Sequence, residues 1–313
     1  MALEEARHQK EMAVSEENEK RQQQVSISVA VALALVLVFS ILLLKRFQLT
    51  KAQKKIIEQK NTHITDSISY AKRIQEAALT SHQYMDKHLK DYFVLYQPKD
   101  IVSGDFYWVY QLDNGNTMVA VADCTGHGVP GGFMSMLGVA FLNEIIIENG
   151  TTHVDKVLDT MRYQIINALH QDQENVKAMD GLDITLLHFN PKTRMLDFAG
   201  AGHKLYITGE VGCKEIRGDF HPVGYYYGKE LPYSKKEIAL EPDETVYLTS
   251  DGFSDQFGGA DRKKFGYKAF HELLTSIHKK PMDKQRSTVS QALADWKGDL
   301  DQIDDILVMG VRF

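Results

Sequence analysis

The chain has 313 residues, enough for one large domain or two modest ones with appendages. With 43% apolar and 25% charged residues it can bury a substantial core, which excludes wholesale disorder. Its two cysteines, Cys124 and Cys213, are too few for a disulfide-stapled scaffold or a four-thiolate metal site, and the net charge of -6 argues against nucleic acid as a partner.

Residues 1–24 are rich in Glu, Lys and Gln, carry a net charge of -2, and form a stub too short to fold alone. Val25 to Leu44 follow, twenty residues of which only Ser26, Ser28 and Ser40 are polar and none is charged. At about 1.5 Å per residue such a helix crosses roughly 30 Å of hydrocarbon, so a single transmembrane helix is expected over 25–44. A cleaved signal peptide fits less well, because the charged stretch before the run is long and no small-x-small cleavage pattern follows it. Lys45, Arg46, Lys51, Lys54, Lys55 and Lys60 crowd the C-terminal flank, and residues 45–92 are net +5. The positive-inside bias therefore places the remaining body, net -9, in the cytoplasm.

Residues 45–91 read as a helical connector. Ile57, Asn61, Ile64, Ile68, Ala71, Gln75 and Ala78 step by four and three, the spacing of a coiled-coil seam. A buried Asn61 on such a seam favours a parallel homodimer in fixed register. A single amphipathic helix lying on the body is the other reading of the same spacing.

From about Tyr92 the pattern changes to short strands separated by turns, and 92–313 read as the folded body. Strands are expected at Tyr92 to Gln97, Phe106 to Gln111 and Thr117 to Ala122, the last two joined by a hairpin at Asp113-Asn114-Gly115. Helices follow from Pro130 to about Ile147 and from Val154 to about His170; Phe133, Met134, Met136 and Leu137 are expected to pack in the core. Four strands come next: Ile184 to Phe189, Met195 to Ala199, Leu205 to Thr208 and Thr245 to Thr249. Helices near Lys264 to His278 and Asp283 to Trp296 precede a last strand, Ile306 to Phe313. Strand clusters separated by helix pairs predict an α+β body of antiparallel sheets covered by helices.

The chemistry lies in aspartates at strand ends. Asp105 follows Ser103-Gly104, Asp123 sits in Val-Ala-Asp-Cys-Thr-Gly-His-Gly, Asp251 in Leu-Thr-Ser-Asp-Gly, and Asp304-Asp305 open the last strand. A carboxylate just beyond a strand is held rigidly, and a neighbouring glycine lets backbone and solvent approach, which suits a hard cation. Asp105, Asp123, Asp251 and Asp304 are the candidate catalytic carboxylates. With no His or Cys cluster to match, they point to Mg²⁺ or Mn²⁺ rather than zinc. Two such ions would activate a water near neutral pH and clamp a phosphoryl oxygen.

Competing phosphoryl chemistries lack their residues. A cysteine phosphatase needs Arg six positions after its nucleophile, and from Cys124 that position is Pro130. Asp-x-Asp-x-Thr is absent, Asp180-Gly-Leu-Asp183 having the wrong spacing; there is no Gly-x4-Gly-Lys-Ser/Thr loop, and His271-Glu272 lacks the second histidine of a zinc protease. Hydrolysis by a metal-activated water remains.

Five ordered segments carry a family resemblance: Pro98 to Tyr107, Ala122 to Pro130, Phe198 to His203, Thr249 to Asp255 and Asp304 to Ile306. Over about residues 92–313 they resemble the successive motifs of the SpoIIE-like branch of the PPM metal-dependent serine/threonine protein phosphatases. The resemblance implies a central antiparallel β-sandwich flanked by helix pairs, with two Mn²⁺ or Mg²⁺ at one end. By the same resemblance Asp123 bridges the metals and Cys124 contributes its carbonyl oxygen. Asp105, Asp251 and Asp304 are further ligands, and Asp305, beside Asp304, is counted with the metal residues. The implied substrate is a phosphoserine or phosphothreonine protein, of the kind exemplified by anti-sigma-factor antagonists in bacterial signalling.

Some positions depart from the pattern. Leu307 stands where relatives often have Thr and Trp108 where many have Asp, neither a proposed ligand. His127 lies four places after Asp123, whereas the general-acid histidine of the wider family lies two places after, so no acid role is assigned to it. His203 reads as a loop-fixing residue and Asp183 as structural or supporting. Two rival functions are a catalytically silent phosphoprotein-docking module of the same fold and a metal-dependent nucleotide cyclase. The cyclase leaves the motifs at Asp251 and Asp304 without a role. The docking module gives no reason to keep a costly cluster of like charges.

Overall fold

An apolar run with no charge must satisfy its backbone within itself, and a helix does this at every residue. In the computed structural model, which describes residues 1–171, 179–210, 212–226 and 231–313, this run lies within one helix, α1 (Ala2–Ala78). Two compact units are present, Met1–Asp66 and Ser67–Phe313. The first is helical from Ala2 onward and leaves the side chains of residues 25–44 uncovered. Two helical stretches among the described residues are long and apolar enough to cross a bilayer, this one and Gly128–Glu148. The second is partly buried, its inner face contributing Met134, Val139, Leu142, Ile145 and Ile146 to the core.

The second unit begins with the last turns of α1 and a short helix α2 (His82–His88), whose N-cap Ser81 side chain accepts from the Tyr84 N–H. One five-stranded antiparallel sheet contains β1 (Asp91–Gln97), β6 (Lys204–Gly209), β7 (Gly212–Arg217), β9 (Thr245–Thr249) and β12 (Ile306–Arg312), in the order β1-β12-β9-β6-β7. A second contains β2 (Phe106–Gln111), β3 (Thr117–Cys124), β4 (Leu182–Asn190), β5 (Met195–Ala201) and β8 (Lys236–Ala239), in the order β2-β3-β4-β5-β8. The Asp113-Asn114-Gly115 hairpin forms as expected, joining β2 to β3 with Gly115 at φ 87°.

Side-chain alternation along the strands sets the layers. Val94, Leu205, Ile207, Val246, Leu248, Leu307 and Met309 join the inward residues of the second sheet in one core. That core also takes Leu142 and Ile145 from α3 (Gly128–Leu142) and its π-helical continuation Asn143–Glu148, and Leu158 and Met161 from α4 (Val154–Ala168). The alternate residues Phe93, Leu95, Tyr206, Tyr247, Ile306 and Val308 face the other way. They pack with Phe270, Leu274 and Ile277 of α6 (Tyr267–Ile277) and Met282, Val289 and Leu293 of α7 (Met282–Lys297). The edge strand β1 and the central strands β9 and β12 are therefore apolar on both faces, which is why they read as continuous hydrophobic runs.

Several details correct the expectations. Strands β7 and β8 are not legible in the sequence, because both are edge strands with exposed charged residues such as Lys214, Arg217, Lys236 and Glu237. The helix expected from Lys264 begins at Tyr267. Lys263 and Lys264 instead form β11 (Lys263–Lys264), paired with β10 (Phe257–Gly258), after a four-residue helix α5 (Gly252–Asp255). Helix α3 starts at Gly128, two residues before Pro130. Phe133 is not core: it is 75% exposed, on the side of α3 away from the buried Met134 and Ser135.

Candidate metal centre

Antiparallel register brings the aspartates together. Asp123 at the end of β3 lies directly across from Asp183 at the start of β4, and Asp105 precedes β2, whose Phe106 pairs with Ala122. In the other sheet β9 ends at Thr249, just before Asp251, and β12 begins at Ile306, just after Asp304 and Asp305. Asp123, Asp183, Asp251 and Asp304, with Cys124, Thr125, His127 and Pro222, line one cleft of about 350 Å³. Asp105 does not line it; it is buried, with one carboxylate oxygen, Oδ2, lacking a hydrogen-bond partner. A larger groove of about 1080 Å³ lies at the far ends of β6, β9 and β12, with mixed charges including Glu210, Lys214, Glu244 and Arg312. Its four carboxylates, Glu210, Glu241, Asp243 and Glu244, stand among Lys214, Lys279 and Arg312, whereas no Lys or Arg lines the aspartate cleft.

The loops are tied to one another by short bonds. Asp305 accepts from the Lys99 N–H through Oδ1 and from the Gly104 N–H through Oδ2, both at 2.7 Å, so it clasps the Ser103-Gly104-Asp105 loop. The Asp105 N–H donates to Ser103 Oγ at 3.0 Å, and Tyr96 OH donates to the Asp105 carbonyl at 3.1 Å. A side chain at Gly104 would put its Cβ 2.5 Å from the Gly126 carbonyl and 3.3 Å from that of Cys124, so only glycine lets these loops meet. A Cβ at Gly252 would collide with the Asp305 carbonyl.

Burial and mutual repulsion raise the acids. Asp123 is pushed up to about 8 by burial and by Asp251, Asp304 and Asp183. Asp105 is raised by burial and then by Asp123, Asp251 by burial and Asp304, and Asp183 to about 6 by burial and Asp251. Among the described residues no three His, Cys, Asp or Glu side chains stand close enough to grip an ion as they are. Like charges favour such spacing. The donor set is nonetheless all oxygen, dense in charge, and includes the orphaned Asp105 Oδ2, which fits a hard divalent cation and not a thiolate or imidazole metal.

Other groups at the cleft lie outside the acidic set assigned from the sequence. His127 sits at the cleft, its Nδ1 2.6 Å from Asp100 Oδ2 and its Nε2 2.9 Å from Lys99 Nζ. Lys99 is thereby tied to a lip of the cleft by side chain and main chain alike. Asp183 was read as support, yet it lines the cleft opposite Asp123; the Gly-Leu-Asp sequence at a strand start carried the same signal as the other motifs. His203 is buried, hydrogen-bonded to the Val121 backbone and lowered to about 4 by burial, so it is a neutral packing residue. Burial and the surrounding aspartates hold the Cys124 thiol well above its usual range, which makes it a poor nucleophile.

The family described as Stage II sporulation protein E (SpoIIE) matches residues 113–313. The "Phosphoserine phosphatase RsbP" of Bacillus subtilis (strain 168) is 24% identical over 191 residues, 60% of this chain and 45% of the relative, so the chain spans about half that protein's length. Among solved structures, the "SiaA-PP2C domain of Pseudomonas aeruginosa" is 31% identical with a TM-score of 0.73, covering 81% of this chain and 98% of that one. The PP2C phosphatase domain of the cell fate determinant SpoIIE from Bacillus subtilis, solved with a fragment of its regulatory domain, has a TM-score of 0.56 at 17% identity. It covers 71% of this chain and 63% of that one, and shares the fold.

Proposed function

Because this chain belongs to the Stage II sporulation protein E family, we propose that it is a metal-dependent phosphatase acting on phosphoserine or phosphothreonine in a protein, in bacterial signalling. The observation that carries this reading is the convergence of Asp123, Asp183, Asp251 and Asp304 on one cleft, with Asp105 buried close by. The two-layered core with helices on each outer side supports the sandwich-and-helix-pair reading of the body.

Asp123, Asp251, Asp304 and Asp105 would hold two Mn²⁺ or Mg²⁺, with the Cys124 carbonyl as an added oxygen donor. Asp305 keeps the loop of Asp105 in place through its two backbone bonds. Bound cations supply charge to polarise a phosphoryl oxygen and to make water nucleophilic near neutral pH. Lys99, steadied by His127 and Asp100, offers the phosphate a positive charge at the lip of an otherwise acidic cleft. The substrate we favour is a small phosphorylated regulator of the anti-sigma-factor-antagonist type, in keeping with the phosphoserine phosphatase named among the relatives.

We read residues 25–44 as a single membrane span with residues 92–313 on the cytoplasmic side; the uncharged, uncovered helix and the basic flank after it support this. A parallel homodimer through the connector, residues 45–91, is supported by the seam spacing from Ile57 to Ala71, while Gln75 of that seam is buried against Ser103 of the body.

The test is hydrolysis of a phosphoserine peptide. Wild-type activity should need Mn²⁺ or Mg²⁺, disappear with a chelator and return on metal addition. Asp123→Asn should cut kcat at least a hundredfold, about 2.7 kcal/mol in barrier. Metal-independent phosphopeptide binding without turnover would replace the enzyme with the docking module.

A further inference from the structure

Strand β2 is an edge strand, so one side of its backbone has no neighbouring strand. Side chains from residues 75–84 take that place. Thr80 Oγ1 accepts from the Val109 N–H at 2.9 Å and donates to the Val109 carbonyl at 3.3 Å, and Tyr84 OH accepts from the Gln111 N–H at 3.1 Å. Gln75 does the same one step closer to the metal residues. Its Oε1 accepts from the Ser103 N–H at 3.1 Å, and its Nε2 donates to the Ser103 carbonyl at 2.6 Å and to Ser135 Oγ of α3 at 2.7 Å.

Gln75 is buried, at 5% exposure, although both neighbours in the helix are exposed. A primary amide has two donors and one acceptor group, and here both ends are used, on the N–H and C=O of one residue and on a hydroxyl. The Ser103 side chain in turn receives the Asp105 N–H, so one bond separates Gln75 from the backbone of the aspartate. Asp305 and Tyr96 hold the Gly104 N–H and the Asp105 carbonyl; Gln75 and Ser103 supply the rest of the loop's anchorage. A buried amide chosen only for packing would have been better replaced by an apolar side chain of the same size.

We propose that Gln75 is a positioning residue for the metal centre: its amide fixes the Ser103-Gly104-Asp105 loop against α3 and so sets where the Asp105 carboxylate stands. The inference rests on the metal-dependent reading given above. It makes the end of α1 part of the centre, and it assigns this seam residue to the body and not to a partner helix.

The experiment measures Mn²⁺ binding to the full chain in detergent by the loss of the free-ion EPR signal, alongside thermal unfolding without metal. Gln75→Met keeps the volume and removes the amide. Gln285→Met is the control, since Gln285 is also buried and joins Tyr247 OH to the His278 and Lys280 carbonyls away from the cleft. Gln75→Met should weaken Mn²⁺ binding about tenfold or more, as loss of a group supporting a metal ligand does. Gln285→Met should lower the unfolding temperature with binding unchanged. Wild-type affinity in Gln75→Met, or equal weakening in both variants, would overturn the proposal. Should Gln75→Met not fold, Gln75→Asn keeps an amide withdrawn by one methylene, and undiminished binding there would overturn it as well. No binding by the wild type would instead remove the metal reading itself.

Discussion

Lys99 and His203 show how a single residue's chemistry follows from its neighbours. The Lys99 main chain is fixed by Asp305 and its ammonium is steered by His127, so the side chain can be removed without freeing the loop. Lys99→Ala should raise KM for a phosphopeptide about tenfold, the worth of one charge-assisted hydrogen bond, with a smaller effect on kcat. A kcat effect with KM unchanged would refute substrate contact. His203 is held neutral in the fold at about 4, below its unfolded value of about 6.5. Protonation therefore favours the unfolded chain: stability is intact above about pH 6.5 and declines as pH falls toward 4, by on the order of 3 kcal/mol. In urea unfolding from pH 7.5 to 4, His203→Gln should have the shallower slope; equal slopes would show that His203 is not the group responsible. At this scale the acidic motifs were legible from sequence, because carboxylate, glycine and strand end lie together in the chain. Lys99, Asp100 and the role of Asp183 were not, since their partners are brought close only by pairing across strands.

Elements were legible in proportion to how much of their surface is buried. β2 and β9 occupy the expected residues without change, and α4 and α7 differ only at their ends, because each buries a regular stripe or an unbroken apolar run. β7 and β8 escaped because an edge strand with charged outward residues is composed like a loop. Phe133 misled for the opposite reason: on a helix rich in Gly, Met and Leu, composition does not tell which side faces the sheet. The outer layer formed by α6 and α7 depends on Phe270, which meets Tyr206 at 5.8 Å and Phe253 at 4.9 Å between ring centres. Phe270→Ala should destabilise the body by about 3–5 kcal/mol in denaturant unfolding. A cost below about 1 kcal/mol would mean that the site can collapse around the missing ring.

For the whole molecule, the uncharged run should decide where the chain resides. In cell fractionation the chain should stay with membranes through a high-salt wash, and deletion of Val25 to Leu44 should release it to the soluble fraction. Release of the intact chain by salt would point to peripheral attachment through the basic residues after the run. The sequence by itself determined the apolar run, the α+β alternation and the ordered aspartate-glycine motifs, because each is a local pattern of hydrophobicity or turn chemistry. Tertiary structure alone decided which carboxylates share the cleft, that Asp105 is buried while Asp123 lines it, and that Gln75 reaches the Ser103 peptide. The reason is distance along the chain: Asp305 meets Gly104 across 201 positions and Gln75 meets Ser103 across 28. Contacts of that separation depend on sheet order and register, which no local pattern encodes.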